Sequence, residues 1–287
     1  MTILMAVPNV SEGRDADAIA AIGAAFAPAR LLDTHSDPDH GRSVYTLAAP
    51  QGEIAEALVN GAREAIARID LTRHAGDHPH VGAIDVAPVV YLDRDSRGAA
   101  CAEALTAAAR MGDELELPVY LYGELAGGRE RAEVRRGGLR ALIERNLAPD
   151  FGPATLDPRR GAVLVAARPP LVAFNVDLVT DDLQVAKRIA AELREAGGGL
   201  PGVRAIGLHL PQRGRAQVST NVHDYTAAPL HEIVRRVERR APIAGIEVVG
   251  LVPEAALRGL PSASFRTIEN ALGCEAGHGT DEEEAPA

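Results

Sequence analysis

The chain of 287 residues carries 46% hydrophobic and 24% charged residues, an ordinary soluble balance, and is long enough to bury one large core or two compact halves. Its formal net charge of −10 and 3% aromatic content argue against nonspecific binding to polyphosphate and against stacking platforms for single-stranded nucleic acid. No run approaches a membrane span, the start MTILMAVPNVSEGRD lacks the positive region of a signal peptide, and two distant cysteines, Cys101 and Cys274, fit a reducing cytoplasm.

Ile3 to Val7 reads as a buried first strand ended by Pro8. The next stretch, Asn9-Val10-Ser11-Glu12-Gly13-Arg14, concentrates polar groups where a strand end meets a helix, a place that ligands favour in α/β sheets. Asn9, Ser11 and Glu12 are therefore candidate substrate contacts, although Ser11 or Asp15 could simply cap a helix over residues 15–28. Arg30 to Thr34 and Arg42 to Ala49 read as strands joined by a turn rich in Asp, Pro and Gly, which carries His35 and His40. Apolar residues from Ile54 to Ile69 recur at helical spacing.

The densest polar stretch follows. In HAGDHPHVGAIDVAPVVYL, His74, Asp77, His78 and His80 crowd onto a segment that Gly76 and Pro79 keep from becoming helix, and Val86 to Leu92 continue as a buried strand. A histidine on a stiff loop beside carboxylates is a credible general acid/base, because its unperturbed pKa lies nearest neutrality. Zinc wants three or four ligands at fixed spacing, which His-x3-His on such a loop does not supply, so no metal is expected. No nucleophile elbow, Walker loop or dinucleotide glycine motif occurs either.

Residues 97–114 read as a helix and Leu117 to Tyr122 as a strand. The charged stretch between Gly127 and Gly138 reads as a solvated helix or lid, with an anion-binding role as the alternative. A helix over Leu139 to Leu147 precedes a Pro/Gly-rich loop reaching Arg159-Arg160-Gly161, either a linker or a ligand clamp. After a strand from Ala162 to Ala167, Arg168-Pro169-Pro170 marks the boundary between halves. Strands at Leu171 to Leu178, Val203 to Leu210, Ala216 to Val222 and Ile246 to Val252, with helices over Asp181 to Ala196 and Pro229 to Arg240, repeat the order strand, helix, strand, strand, helix, strand of the first half. Short helices near Glu254 to Leu260 and over Ser264 to Leu272 follow. The expected fold is α+β: two ferredoxin-like (βαββαβ) subdomains, 1–170 and 171–274, whose sheets could face each other across a cleft, and an acidic tail, 275–287, that should be disordered. Arg42, Arg159, Arg160 and Arg168 stand available for carboxylates.

Taken together these segments resemble the formiminotransferase domain family. The residues that carry the resemblance are VPNVSEG (Val7 to Gly13), PDHGRSVYT (Pro38 to Thr46), GDHPHVGAIDV (Gly76 to Val86), PVYLYGE (Pro118 to Glu124), APDFGP (Ala148 to Pro153), GAVLVAARPPLVAFNVDL (Gly161 to Leu178), QVSTNVHD (Gln217 to Asp224) and VVGLVPEAAL (Val248 to Leu257). The resemblance implies transfer of a formimidoyl group between tetrahydrofolate and L-glutamate, as in histidine degradation, by a cytoplasmic homodimer whose two subdomains have their sheets facing across a ligand tunnel for folate. It places the catalytic histidine at His78 and the folate loop on the stretch Gly152, Pro153, Ala154, Thr155 to Arg159, Arg160 and Gly161. His40, Arg42 and Arg168 join the expected substrate contacts, and Asp77 or Asp85 is expected to orient His78. The sequence departs from the family pattern where His80 replaces an Arg, where Asp177 replaces an Asn, and in a shortened glycine run after Glu124; it also ends without the cyclodeaminase domain that some members carry. A formyl-transferring relative and a non-catalytic folate-binding protein are the alternative functions.

Overall fold

A computed structural model describes residues 2–74, 76, 78–261 and 265–273. The acidic stretch 275–287, expected to be disordered, and the candidate Asp77 lie outside the described residues. The first strand ends before Pro8, as expected, but the chain stays in the sheet beyond it. β1 (Ile3–Ala6) is followed by β2 (Asn9–Val10), because the Pro8 carbonyl accepts from the Tyr45 N–H at 3.0 Å and holds the chain in register. Asn9 is thus a strand residue. Asp15 caps α1 (Ala16–Ala25), accepting from the N–H groups of Asp17 and Ala18, so the capping alternative holds for this helix start.

β3 (Arg30–Asp37), β4 (Arg42–Pro50), α2 (Ile54–Arg68) and β5 (Ile84–Val90) complete the first unit. β3 pairs with β4, β4 with β1 and β2, and those two with β5, all antiparallel. The chain then continues through α3 (Arg97–Glu114), β6 (Val119–Leu121), α4 (Arg131–Arg135), α5 (Gly138–Arg145) and β7 (Val163–Arg168). β7 pairs parallel with β5, and β6 with β7, extending the sheet to seven strands.

The second half runs β8 (Val172–Leu178), α6 (Leu183–Leu193), β9 (Val203–Leu210), β10 (Arg215–Val222), α7 (Leu230–Glu238) and β11 (Ile243–Val249). Its sheet order is β11-β8-β10-β9, all antiparallel, the spatial order also taken by the first four strand paths of the larger sheet. The βαββαβ order therefore occurs twice. α8 (Ile268–Leu272) closes the described chain. Side-chain alternation divides each sheet. Leu4, Tyr45, Leu47 and Val89 pack beneath α1 to α3, while Met5, Val44, Pro88 and Val90 look toward the other sheet. In the smaller sheet Phe174, Val176 and Val218 pack against α6 and α7, leaving Ala173, Asn175, Ser219 and Asn221 to face the first.

The polar loop before β5 is pinned at its end by two glycines. Gly82 and Gly161 form a bridge between otherwise separate segments; Gly161 has φ of +71°, and a Cβ on Gly82 would stand 1.8 Å from the Ala162 carbonyl oxygen. That obstacle is backbone and has no rotamer to escape into. Ser11 Oγ donates to the Gly82 carbonyl at 2.8 Å and ties the same point to the end of β2. Gly82→Ala is expected to destabilise the protein by about 1–3 kcal/mol, read by urea unfolding, through overpacking against this backbone. Unchanged stability would mean that the bridge yields freely.

Candidate active site

Two connected cavities separate the sheets. The narrow one, about 100 Å³, is lined by residues of β1, β4 and β5 on one side and β8, β10 and β11 on the other. The wide one, about 690 Å³, extends past α4 and β9. His78, Arg131, Arg168 and Asn221 border both. This junction is where the geometry concentrates its chemistry.

Beneath it lies a fully buried carboxylate. In the pairing of β2 with β5, Asn9 opposes Val86 but Val10 opposes Ile84, so Asp85 is the extra residue of a β-bulge. Ile84 keeps to the helical core and Val86 to the cleft, while the bulge aims Asp85 at two guanidinium groups. Its Oδ2 accepts from Arg42 Nη1 at 2.7 Å and from Arg135 Nη2, and its Oδ1 accepts from the Val81 N–H at 2.9 Å. Burial alone would raise the Asp85 pKa, but Arg135 and Arg42 outweigh it and hold the carboxylate below its ordinary range. Burial pushes Arg135 down to about 9, and it lowers Arg42 as well. Arg42 also donates from Nε and Nη2 to Asn9 Oδ1, at 2.9 and 2.7 Å.

His78 sits on this platform. Its Nδ1 is 2.9 Å from the Pro79 carbonyl and 3.3 Å from Arg42 Nη1. A carbonyl can only accept, so the shorter contact places the ring proton on Nδ1 and the lone pair on Nε2. Desolvation first, and then the charges of Arg42 and Arg135, push the His78 pKa well below its ordinary value. The ring is neutral at neutral pH. The other two histidines of the loop leave the cleft. His74 donates to the Ser11 carbonyl at 3.1 Å, and its ring meets His80 edge-on with centroids 4.1 Å apart.

The wide cavity inverts the charge of the chain. Seven of its lining residues are arginines, against the two carboxylates Glu124 and Glu130. Arg131 and Arg168 have no carboxylate partner among the described residues. His223, beside them, is pushed down to about 4 by desolvation and by Arg131 and Arg168. Such a junction would attract carboxylates strongly.

The site therefore gathers His78, Asn9, His40, Arg42 and Arg168 of the candidate residues. Asp85 lies under the site, and its link to His78 runs through Arg42 rather than through a direct hydrogen bond. Ser11 and Glu12 are scaffold: Ser11 ties the loop to β2, and Glu12 accepts from the N–H groups of Arg14 and Asp15 at 2.7 and 3.0 Å. None of Gly152, Pro153, Ala154, Thr155, Arg159, Arg160 and Gly161 lines either cavity. Arg159 pairs with the Asp70 carboxylate at 3.1 Å, and Arg160 donates to the Leu115 carbonyl. Nor is the stretch between Gly127 and Gly138 merely solvated. Val134 and Arg135 are buried, with Arg135 only 8% exposed. Arg131 and Arg135 come from the charged stretch for which anion binding was the alternative reading, whereas sequence reasoning missed Gln217 and His223; the alternation of Gln217, Ser219 and Asn221 along an otherwise apolar strand was the signal for a polar face.

Comparison with known proteins agrees with the fold. Residues 3–168 match the family model described as formiminotransferase domain, N-terminal subdomain, and residues 173–271 match the formiminotransferase domain. The chain is 35% identical over 275 residues to a glutamate formimidoyltransferase of Thermoplasma acidophilum, covering 90% of each chain. It is 37% identical over 271 residues to one of Streptococcus pyogenes, covering 89% of this chain and 90% of that one. Against the formimidoyltransferase-cyclodeaminase of Sus scrofa the identity is 40% over 285 residues, 90% of this chain but about half, 51%, of the larger protein.

Asp85→Asn leaves Arg42 and Arg135 buried without their countercharge, and is expected to cost about 3–5 kcal/mol in denaturant unfolding. Because the folded Asp85 titrates below its unfolded value, its contribution is complete above about pH 4 and disappears as the pH falls through the depressed folded pKa. The stability gap between wild type and Asp85→Asn should therefore close only in strong acid; a gap that closes near neutrality contradicts the assignment.

Proposed function

The chain belongs to the formiminotransferase domain family, and on that premise we propose that it moves a formimidoyl group between a reduced folate and L-glutamate, with His78 as general acid/base. The observation that carries this reading is the neutral His78 ring, with its lone pair on Nε2, at the junction of two cavities and beside cations that lack a countercharge. Tetrahydrofolate is a substrate here, the carrier of the one-carbon unit. The wide cavity, about 690 Å³, falls within the roughly 300–1,000 Å³ of small-molecule sites and suits its bulk. The narrow cavity admits only a small fragment.

The chemistry needs a base because the α-amine of glutamate is protonated near neutrality and has no lone pair to offer. His78 Nε2 removes that proton. The freed nitrogen forms a bond to the formimidoyl carbon, the bond from that carbon to the folate nitrogen breaks, and His78 returns its proton to the departing nitrogen. The reverse transfer retraces the same steps. Arg131, Arg168 and His223 hold carboxylates of the two substrates and orient the reacting atoms. Arg42 acts indirectly: paired with Asp85, its charge beside the ring keeps His78 unprotonated. The same reading takes residues 1–170 and 171–274 as subdomains, the protein as a cytoplasmic homodimer, and the reaction as a step in histidine breakdown.

His78→Ala should lower kcat by about 10²–10⁴-fold while calorimetry still detects folate binding; near-normal turnover would end the proposal. The pH profile gives a second check. His78 must be neutral to act, and its depressed pKa puts the acid limb of kcat/KM, measured with formimidoylglutamate and tetrahydrofolate, below pH 6.5. Arg131 contributes to that depression, so Arg131→Gln should move the limb to higher pH and raise KM for the dicarboxylate. A limb that stays in place would show that Arg131 does not face the reacting imidazole.

A further inference from the structure

His40 belongs to the turn between β3 and β4 of the first half, yet its ring is fixed by the second. His40 Nε2 lies 2.9 Å from Gln217 Oε1, and Gln217 Nε2 lies 2.8 Å from Asp177 Oδ1. The order of donors along this chain follows from its far end. The Asp177 carboxylate accepts only, so it draws the amide nitrogen of Gln217 toward itself and leaves the amide oxygen facing His40. That oxygen also accepts only. His40 must therefore donate from Nε2. Gln217 is fully buried and His40 is 7% exposed, so water does not compete for these positions.

The ring so held does not face solvent. It stacks on His78 with centroids 5.8 Å apart and planes 29° from parallel. Two further contacts clasp the same turn to the second half: Arg213 pairs with Asp37, whose Oδ1 accepts from the His40 N–H at 2.9 Å, and the Gln212 N–H donates to Asp39 Oδ1 at 2.9 Å. Stacking on an immobilised ring restricts where the His78 imidazole can stand.

We propose that His40 is a positioning residue for the transfer: Asp177 and Gln217, both from the second half, hold its ring in the Nε2–H form, and that ring holds His78 at the cleft. His40 then acts on the reaction through His78 and not by touching substrate. The second half contributes to the acid/base centre without supplying the acid or base. This inference rests on the reading of His78 given above.

Nitrogen-15 NMR of the histidine rings in the full chain separates the two claims. Wild type should show His40 protonated at Nε2 and His78 at Nδ1; His40 protonated at Nδ1 alone overturns the proposal. His40→Ala should lower kcat about tenfold, change KM for either substrate by less than about twofold, and shift the His78 ring signals, because a misplaced imidazole loses orientation rather than binding. A raised KM with unchanged kcat would make His40 a substrate contact instead and overturn the proposal, as would unchanged kcat with unmoved His78 signals. Should that variant fail to fold, Asp177→Asn provides the second test. An asparagine can donate as well as accept, which frees Gln217 to turn over, so His40 should become a mixture of tautomers with lowered kcat; a ring still protonated at Nε2 alone, with full turnover, overturns the proposal. A fully active His78→Ala would instead sink the underlying reading, whatever the state of His40.

Discussion

One carboxylate, shared between two buried guanidinium groups, fixes the geometry on which this protein depends. Asp85 joins β5 to β4 through Arg42 and to α4 through Arg135, and Arg42 reaches on to Asn9 of β2. Taking such charges out of water costs several kcal/mol per ion, which the pairing offsets only when the geometry is good. The cluster is therefore weak as a source of stability but strict about position. Three elements must meet at one point before any of these charges is satisfied, and the meeting point lies directly beneath His78.

That arrangement also sets the electrostatics above it. The chain as a whole is acidic, with a net charge of −10, yet the cleft is lined by cations. A cleft with low-dielectric walls concentrates its own field, so the local sign governs what enters. Arg42 and Arg135 pair with Asp85, whereas Arg131 and Arg168 have no carboxylate partner among the described residues. Arg42, Arg135 and Arg131 all disfavour a protonated His78. An imidazole that stays neutral beside these cations suits the proposed transfer, in which the ring first takes a proton and then returns it.

The two halves divide the work between them. The first supplies the imidazole, the buried carboxylate and most of the cations. The second supplies the facing wall, including Asn175, Ser219 and Asn221, together with the tether that reaches His40. Matches to the two family models fall on either side of the short connection between β7 and β8, so the site lies where the two matched regions face each other.

Much of this was legible before any tertiary contact was known. Helical spacing gave α2 and α3, alternation gave the strands of both sheets, and the repeated βαββαβ order gave their topology, because these patterns report which side of a local element is buried. The dense polar loop and its motifs pointed to His78. Other features were decided by tertiary structure alone. The aim of Asp85 depends on a bulge that only pairing with β2 reveals. The burial of Arg135 contradicts the charged stretch around it, since one distant carboxylate outweighs local polarity. The loop from Gly152 to Gly161, rich in Pro and Gly with paired arginines, lines neither of the two cavities between the sheets. His40 and Gln217 meet across 177 residues. Periodicity along a chain records how each element meets its own core, whereas a site built between two sheets is a property of their packing, which no single segment encodes.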